Sequence, residues 1–382
     1  MALTLPAEIS YKQSRSGTCL VTLVVRVCGS NMMHTSPARV YSHATKLVVR
    51  ATGAFCAIVA IPVLVSGLLA TSPASARAQT VSQAIINLFS GARLYVDPAS
   101  EAKRQADAWR RTRPADAALL DKIAAQPLAQ WVGEWNVDIG RDVADAVSRI
   151  TGARALPVFV AYNIPGRDCG QYSAGGANGS NAYKRWIRAF ANGIGSRKAV
   201  VILEPDALAG MACLSAPLQQ ERVDLIHDAV RVLRAKGAAV YIDAGHARWI
   251  DAAEMANRLR RAGIADANGF SLNISNFLGT AVNVAYGTEV SKRVGGKHFI
   301  IDTSRNGQNA TSAGNWCNPK GVRVGPAPTT RTGNPLVDAY LWVKTPGESD
   351  GTCGGGPAAG QWWGEYALGL AGGAWDRLLG RR

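Results

Sequence analysis

From Leu94 to the C-terminus the chain alternates short, β-branched apolar runs with amphipathic stretches, and this alternation restricts its fold more than any other feature. The runs are Leu94–Val96, Leu156–Tyr162, Ala199–Leu203, Ala238–Ile242, Gly269–Asn273, His298–Ile301 and Ala339–Val343. Between them lie helical patterns such as Pro217–Lys236, where Val223, Ile226, Val230 and Leu233 recur at helical spacing and Gly237 supplies the stop. Strands separated by helices pair in parallel. The expected class is therefore α/β, with about seven parallel strands in an open sheet or a closed barrel. No Pro/Ser-rich linker follows Ala78, so residues 79–382 are expected to form one domain.

Nearly every run exits into polar residues. The exits are Tyr95-Val96-Asp97, Asn163…Asp168, Glu204-Pro205-Asp206, Asp243-Ala244-Gly245-His246, Asn273…Asn276, Asp302…Arg305 and Lys344…Asp350. In β/α barrels the chemistry collects at the carboxyl ends of the strands. A carboxylate at the end of a buried strand is costly without a partner or a task. Two on neighbouring strands, as at Asp168 and Asp206, are a way to assemble acid–base chemistry. All ten tryptophans follow residue 78. Trp186 and Trp375 sit in helical patterns and read as core. Trp249, six residues beyond Asp243, and Trp316, beside Cys317, read as platforms for the apolar faces of sugar rings. Indoles mixed with carboxylates and amides around a cleft point to a carbohydrate.

Residues 1–78 read as a leader. The apolar stretch Ala51–Ala70 follows Lys46 and Arg50 and precedes Ala74-Ser75-Ala76 and Ala76-Arg77-Ala78, the layout of a secretory signal. The same stretch is about long enough to span a bilayer, so an uncleaved anchor is the alternative, and membrane contact is expected only in that case. The long segment ahead of it suggests a true start at Met32 or Met33. Removal of the leader leaves Cys169, Cys213, Cys317 and Cys353, an even set with three connectivities in an exported chain. Neither C-x-x-C nor H-x-x-x-H spacing occurs, and no metal is expected. Seven Lys/Arg and one Glu give the leader +6 of the formal +15, leaving +9 spread over Arg-rich helical faces. Without a nucleic-acid motif this reads as a solvated basic surface, compatible with retention near an anionic cell envelope, and no nucleic-acid partner is expected.

At its strand exits the chain resembles the cellulases of glycoside hydrolase family 6, formerly cellulase family B, of the secreted bacterial endoglucanase type. Tyr162-x-x-Pro165-x-Arg167-Asp168-Cys169-Gly170, continuing to Ser173-Ala174-Gly175-Gly176, matches one family signature. Leu203-Glu204-Pro205-Asp206-Ala207-Leu208-Ala209 matches the other. Tyr241 to Ala247, Asn273-x-x-Asn276, Asp302 to Gly307, Trp316-Cys317-Asn318 and Trp342 to Gly351 follow in family order. The resemblance implies a distorted β/α barrel of fewer than eight strands with a groove or tunnel across its carboxyl end. It also implies cofactor-free hydrolysis of β-1,4-glucan with inversion, outside the cell and without an obligate protein partner. Inversion needs an acid and room for a water opposite, with carboxyls about 6.5–9.5 Å apart.

Residue by residue, the resemblance makes Asp206 the general acid and Asp168 the aspartate that supports its proton affinity. Asp350 would be the base, an assignment the family itself leaves open. Tyr162, Asp243, His246, Trp249, Asn276, Trp316, Lys344 and Glu348 would contact substrate, with Arg305 a further contact or support. The family pairing would be Cys169–Cys213 and Cys317–Cys353. Ala252 stands where members often carry a second tryptophan, Tyr95 is offered where some carry one near the first strand, and the water-positioning serine is Ser173 with its register against Ala174 open. Little chain lies between Cys317 and Cys353 to roof a tunnel, so internal cleavage in an open groove is expected. The alternatives are a chain-end-acting cellobiohydrolase and a β-glucan-binding protein with little turnover.

Overall fold

The computed structural model describes residues 7–13, 18–27, 43–52, 87–308 and 316–375, in two units, Met1–Ala78 and Gln79–Arg382. In the first unit β1 (Ala7–Gln13), β2 (Thr18–Val27) and β3 (His43–Thr52) form an antiparallel sheet in that order. Of the apolar stretch expected to be a leader core, only Ala51 and Thr52 are described, and the rest lies outside the described residues. No described helix is long and apolar enough to cross a membrane.

The second unit is built on seven parallel strands in sequential order: β4 (Gln130–Val132), β5 (Val158–Ala161), β6 (Val200–Leu203), β7 (Ala239–Asp243), β8 (Gly269–Leu272), β9 (His298–Asp302) and β10 (Val337–Leu341). The helices are α1 (Glu101–Trp109), α2 (Pro114–Ala124), α3 (Ile139–Gly152), α4 (Ser180–Ile194), α5 (Ala216–Ala235), α6 (Ala252–Arg261), α7 (Thr280–Arg293) and α8 (Gly364–Leu370). Strands β5 and β6 read as unbroken apolar runs because both of their faces are buried. Val201 and Leu203, Val240 and Ile242, and Phe299 and Ile301 pack with Ile187, Phe190, Val223 and Ile226 of the helices. The alternate residues Val200, Ile202, Tyr241, Ile300 and Leu341 pack with one another and with Phe89, filling the inside of the curl. The edges nearly meet: Leu128 bridges Trp342, and Ala129 N–H donates to Trp342 O at 3.1 Å. This is a distorted, seven-stranded barrel.

Two expectations need correction. Leu94–Val96 is not a strand of the sheet; Leu94 makes one isolated bridge to Leu156, ahead of β5. The first strand is Gln130–Val132, whose three residues are too few, and too polar at Gln130, to stand out as a periodic run. The Pro217–Lys236 pattern is α5, displaced by one residue at each end.

Candidate active site

Past their last hydrogen-bonded residue the strands turn sharply. Among the described residues, six of the eight non-glycine residues at positive φ lie at exits: Asp168 and Cys169 after β5, Glu204 and Asp206 after β6, Asn273 and Ser275 after β8. Such backbone costs about 1–3 kcal/mol per residue and persists where surrounding contacts over-determine it. Buried carboxylates provide those contacts. Glu204 accepts N–H bonds from Asn163 (2.9 Å) and Ile164 (2.9 Å), joining the β5 and β6 exits. Asp243 takes Asp206 N–H at 2.9 Å and Gly245 N–H at 3.0 Å on Oδ2, and Ser271 Oγ–H at 3.0 Å on Oδ1. Asp302 accepts from Ser304 (2.9 Å), Ser275 (3.0 Å), Lys344 (3.0 Å) and Val343 (3.2 Å). Each therefore ties neighbouring strand ends where the sheet ladder has stopped.

Asp206 and Asp168 are partly exposed at this end, whereas the side chain of Asp350 is buried. No described residue donates a hydrogen bond to the Asp206 carboxyl. Burial first, then the charges of Asp243 and Asp168, hold its pKa well above the ordinary aspartate value. Burial also raises Asp243, to about 6. The donors decide between the two: Asp243 has three and Asp206 none, so the proton of the pair resides on Asp206. Asp168 Oδ2 accepts both the N–H and the Oγ–H of Ser173 at 2.8 Å, and Ser173 Oγ lies 3.1 Å from Tyr162 OH. The next residue, Ala174, instead gives its carbonyl to Arg167 at 3.2 Å.

Across the β9 and β10 exits two of the carboxylates have cationic partners. Arg305, fully buried, reaches Asp350 through Nη1 to Oδ2 (2.9 Å) and Nη2 to Oδ1 (2.9 Å). Asn318 N–H adds a bond to Oδ2 at 3.0 Å, and Arg305 lies 4.2 Å from the Phe277 ring centroid. Lys344 Nζ donates to Glu348 at 3.2 Å. Disulfides Cys169–Cys213 and Cys317–Cys353 close the loops on the two sides.

Aromatic rings complete the site. Trp249 (41% exposed) packs over Gly210 and Gly245, with its ring 5.5 Å from His246. Burial pushes His246 down to about 4, so its ring is neutral. Trp316 is 38% exposed. Tyr162 lies under Arg167, whose guanidinium stands 4.4 Å from the ring centroid. Asn276 Oδ1 takes the Phe277 N–H at 2.9 Å.

Two site expectations change. Asp243 has no exposed surface, so it supports Asp206 rather than meeting sugar. The aromatic residue of the first strand is Trp131, edge-on to Tyr162 at 5.2 Å with Nε1–H donated to Val343 O at 2.8 Å; Tyr95 lies near Leu156, before β5. Sequence reasoning also passed over Trp135, 5.6 Å from the Arg167 guanidinium, and Tyr172, edge-on to Trp316 at 5.8 Å. Tyr172 sits one residue before Ser173 within the first signature, and that was the available signal.

The profile of glycosyl hydrolases family 6 matches residues 89–374. Endoglucanase A of Cellulomonas fimi is 49% identical over 280 residues, which are 72% of this chain and 60% of that protein. Endoglucanase 1 of Streptomyces halstedii is 45% identical over 286 residues, 72% of this chain and 86% of that protein. The solved endoglucanase Cel6 of Mycobacterium tuberculosis, in complex with methyl-cellobiosyl-4-deoxy-4-thio-β-D-cellobioside, is 45% identical, with a TM-score of 0.70 over 74% of this chain and 98% of that one.

Proposed function

Because the chain belongs to glycosyl hydrolases family 6, we propose that it cleaves internal β-1,4-glucosidic bonds of cellulose or a related β-glucan, with inversion at the anomeric carbon. The observation that carries this reading is the state of Asp206: a partly exposed carboxyl without a donor, beside a carboxylate that has three. Such a group keeps its proton where ordinary aspartates have lost theirs, which suits a general acid for a poor alkoxide leaving group. Asp168, through Ser173, is suited to hold a water and to sustain the negative potential at Asp206. Asp350 is suited to the opposite face, a carboxylate fixed in orientation by Arg305 with lone-pair capacity left on Oδ1. Tyr162, with Trp131 edge-on, would lie beneath the reacting sugar. Trp249 and Trp316 would stack on sugars to either side, with His246, Asn276, Lys344 and Glu348 as polar contacts.

The two disulfides support an extracellular setting. Secretion through residues 1–78, and a β-1,4-glucan as the polysaccharide bound, belong to the same proposal. One contact favours a second reading. Tyr172 touches Trp316, and a Cβ at Gly351 would stand 2.6 Å from it, so the Ser173 loop and the Asp350 loop meet. Meeting loops narrow a groove toward the tunnel of a chain-end enzyme. Viscosity and reducing ends followed together on soluble carboxymethyl cellulose separate the readings: steep early viscosity loss is expected, whereas disaccharide release at nearly constant viscosity would establish chain-end attack. Proton NMR of the first product should show the α-anomer, and initial β-anomer would exclude inversion.

A further inference from the structure

Helix α5 carries a cation with no part in the chemistry above. Arg222 is 4% exposed, and its hydrogen-bond partners are all backbone oxygens. Nη2 donates to Pro165 O and Gly166 O, both at 2.8 Å, Nη1 makes a longer contact to Ala207 O at 3.4 Å, and Nε is buried without a partner. A guanidinium buried against carbonyls is an expensive way to stabilise a fold, and its burial lowers the pKa. Its carbonyls are well chosen, however. Pro165 and Gly166 lead into Asp168, and Ala207 follows Asp206; both aspartates lie beyond their strands in left-handed backbone. Glu204 already binds the N–H groups of Asn163 and Ile164, so Arg222 and Glu204 hold opposite polar groups of one segment.

We propose that Arg222 is a positioning residue: by tying Pro165–Gly166 to Ala207 it sets the separation of the Asp168 and Asp206 carboxyls, and so the strength of the acid. This rests on the reading of Asp206 as general acid. The ionisable groups around Asp206 are Tyr162, Arg167 and Asp168 from the β5 exit, Glu204 on its own segment, Asp243 and His246 from the β7 exit, Arg222 from α5 and Arg258 from α6. Beyond burial, Asp243 and Asp168 are the charges that act on Asp206. Asp243 is fixed by Gly245 and Ser271, independently of Arg222, whereas the place of Asp168 depends on its loop. Loosening that loop lets Asp168 recede, which weakens the repulsion that keeps Asp206 protonated. Arg258 is the natural comparator. It binds Leu208 O at 2.7 Å and Ala209 O at 3.2 Å, on the Asp206 side alone.

The test compares Arg222→Met, Arg222→Lys and Arg258→Met with the unaltered enzyme and Asp206→Asn, on a soluble cello-oligosaccharide across pH. Rates are normalised to folded protein by near-ultraviolet circular dichroism. Both Arg222 variants should lose about tenfold to a hundredfold in kcat, as for about 1 Å of misplacement, with KM changed less than about twofold. The alkaline limb of their kcat/KM profiles should move to lower pH by about half a unit. Lysine retains the charge but not the fork that spans two segments, so it should not restore the profile. Arg258→Met should lower the unfolding midpoint without moving the limb. An unmoved limb in folded Arg222→Lys, or full rescue by lysine, overturns the positioning role; should Arg222→Met not fold, Arg222→Lys alone decides. If Asp206→Asn keeps both its activity and its alkaline limb, the acid assignment fails instead, and the two failures are thereby told apart.

Discussion

The exits of β5 and β6 and the exits of β9 and β10 are built from the same residue type and differ in how their carboxylates are paired. On the first side Asp206, Asp168, Asp243 and Glu204 crowd together, with Arg167 turned to Glu134 (2.5 Å) and Arg222 to carbonyls. On the second side Asp350 is gripped through both oxygens by Arg305, and Lys344 faces Glu348. A carboxyl among carboxylates in a poorly solvated place holds a proton; one paired with a buried guanidinium stands as an oriented anion. Strand-end aspartates are therefore not interchangeable. Their surroundings differ in which donors reach them, and the proposed acid and the proposed base rest on that difference.

The sharpest way to break this contrast is Asp206→Asn. Loss of a carboxyl whose burial and charged neighbours favour its protonated form should cost about 10²–10⁴-fold in kcat on unactivated glucan. Activity on an aryl glycoside with a good leaving group should suffer far less, and equal losses on both substrates would remove Asp206 from the acid role.

On the β9 and β10 side Arg305→Met leaves Asp350 without its cationic partner. Breaking a buried pair typically costs about 3–5 kcal/mol of stability. Urea unfolding should show it, and a change within error would mean that the pair is not buried as described.

The disulfides brace both sides, and replacing either with serines should lower stability by about 2–4 kcal/mol. Thiol titration of the unfolded, unreduced chain bears on the same point, since reactive groups among the four cysteines would contradict the pairing.

Asp168→Asn removes one of the charges that raise Asp206. The sign is fixed: with less negative charge nearby Asp206 ionises more easily, so the alkaline limb of kcat/KM should move to lower pH. A limb that stays or rises would break the coupling drawn between the two aspartates.

The smallest effect is expected at Trp249→Ala. Loss of one stacking ring, about 0.5–1.5 kcal/mol by analogy with aromatic pairs, should raise KM for long oligosaccharides more than for short ones. A uniform change in KM would place Trp249 at the cleaved bond instead.

Much of this was legible before any coordinates. Runs such as Ala199–Leu203 are apolar on both faces because both are buried, which announces a parallel sheet, and Gly237 and the spacing of Val223 and Ile226 announce α5. The exits and the two signatures put Asp168 and Asp206 at the site, and the resemblance paired the four cysteines as they stand. The first strand was missed because three residues do not make a period.

The sequence by itself determined which residues stand at the strand ends, since that follows from local hydrophobic period and chain order. Only the tertiary structure decided what each one does there. Asp243 reads like Asp206 in the chain, but becomes a buried support because Ser271, Gly245 and the Asp206 backbone converge on it. Asp350 acquires its guanidinium from a residue 45 positions away, and Arg222 reaches back 56 positions to Gly166. Burial and the approach of distant donors set the charge on a carboxyl, and neither is a property of its neighbours in sequence.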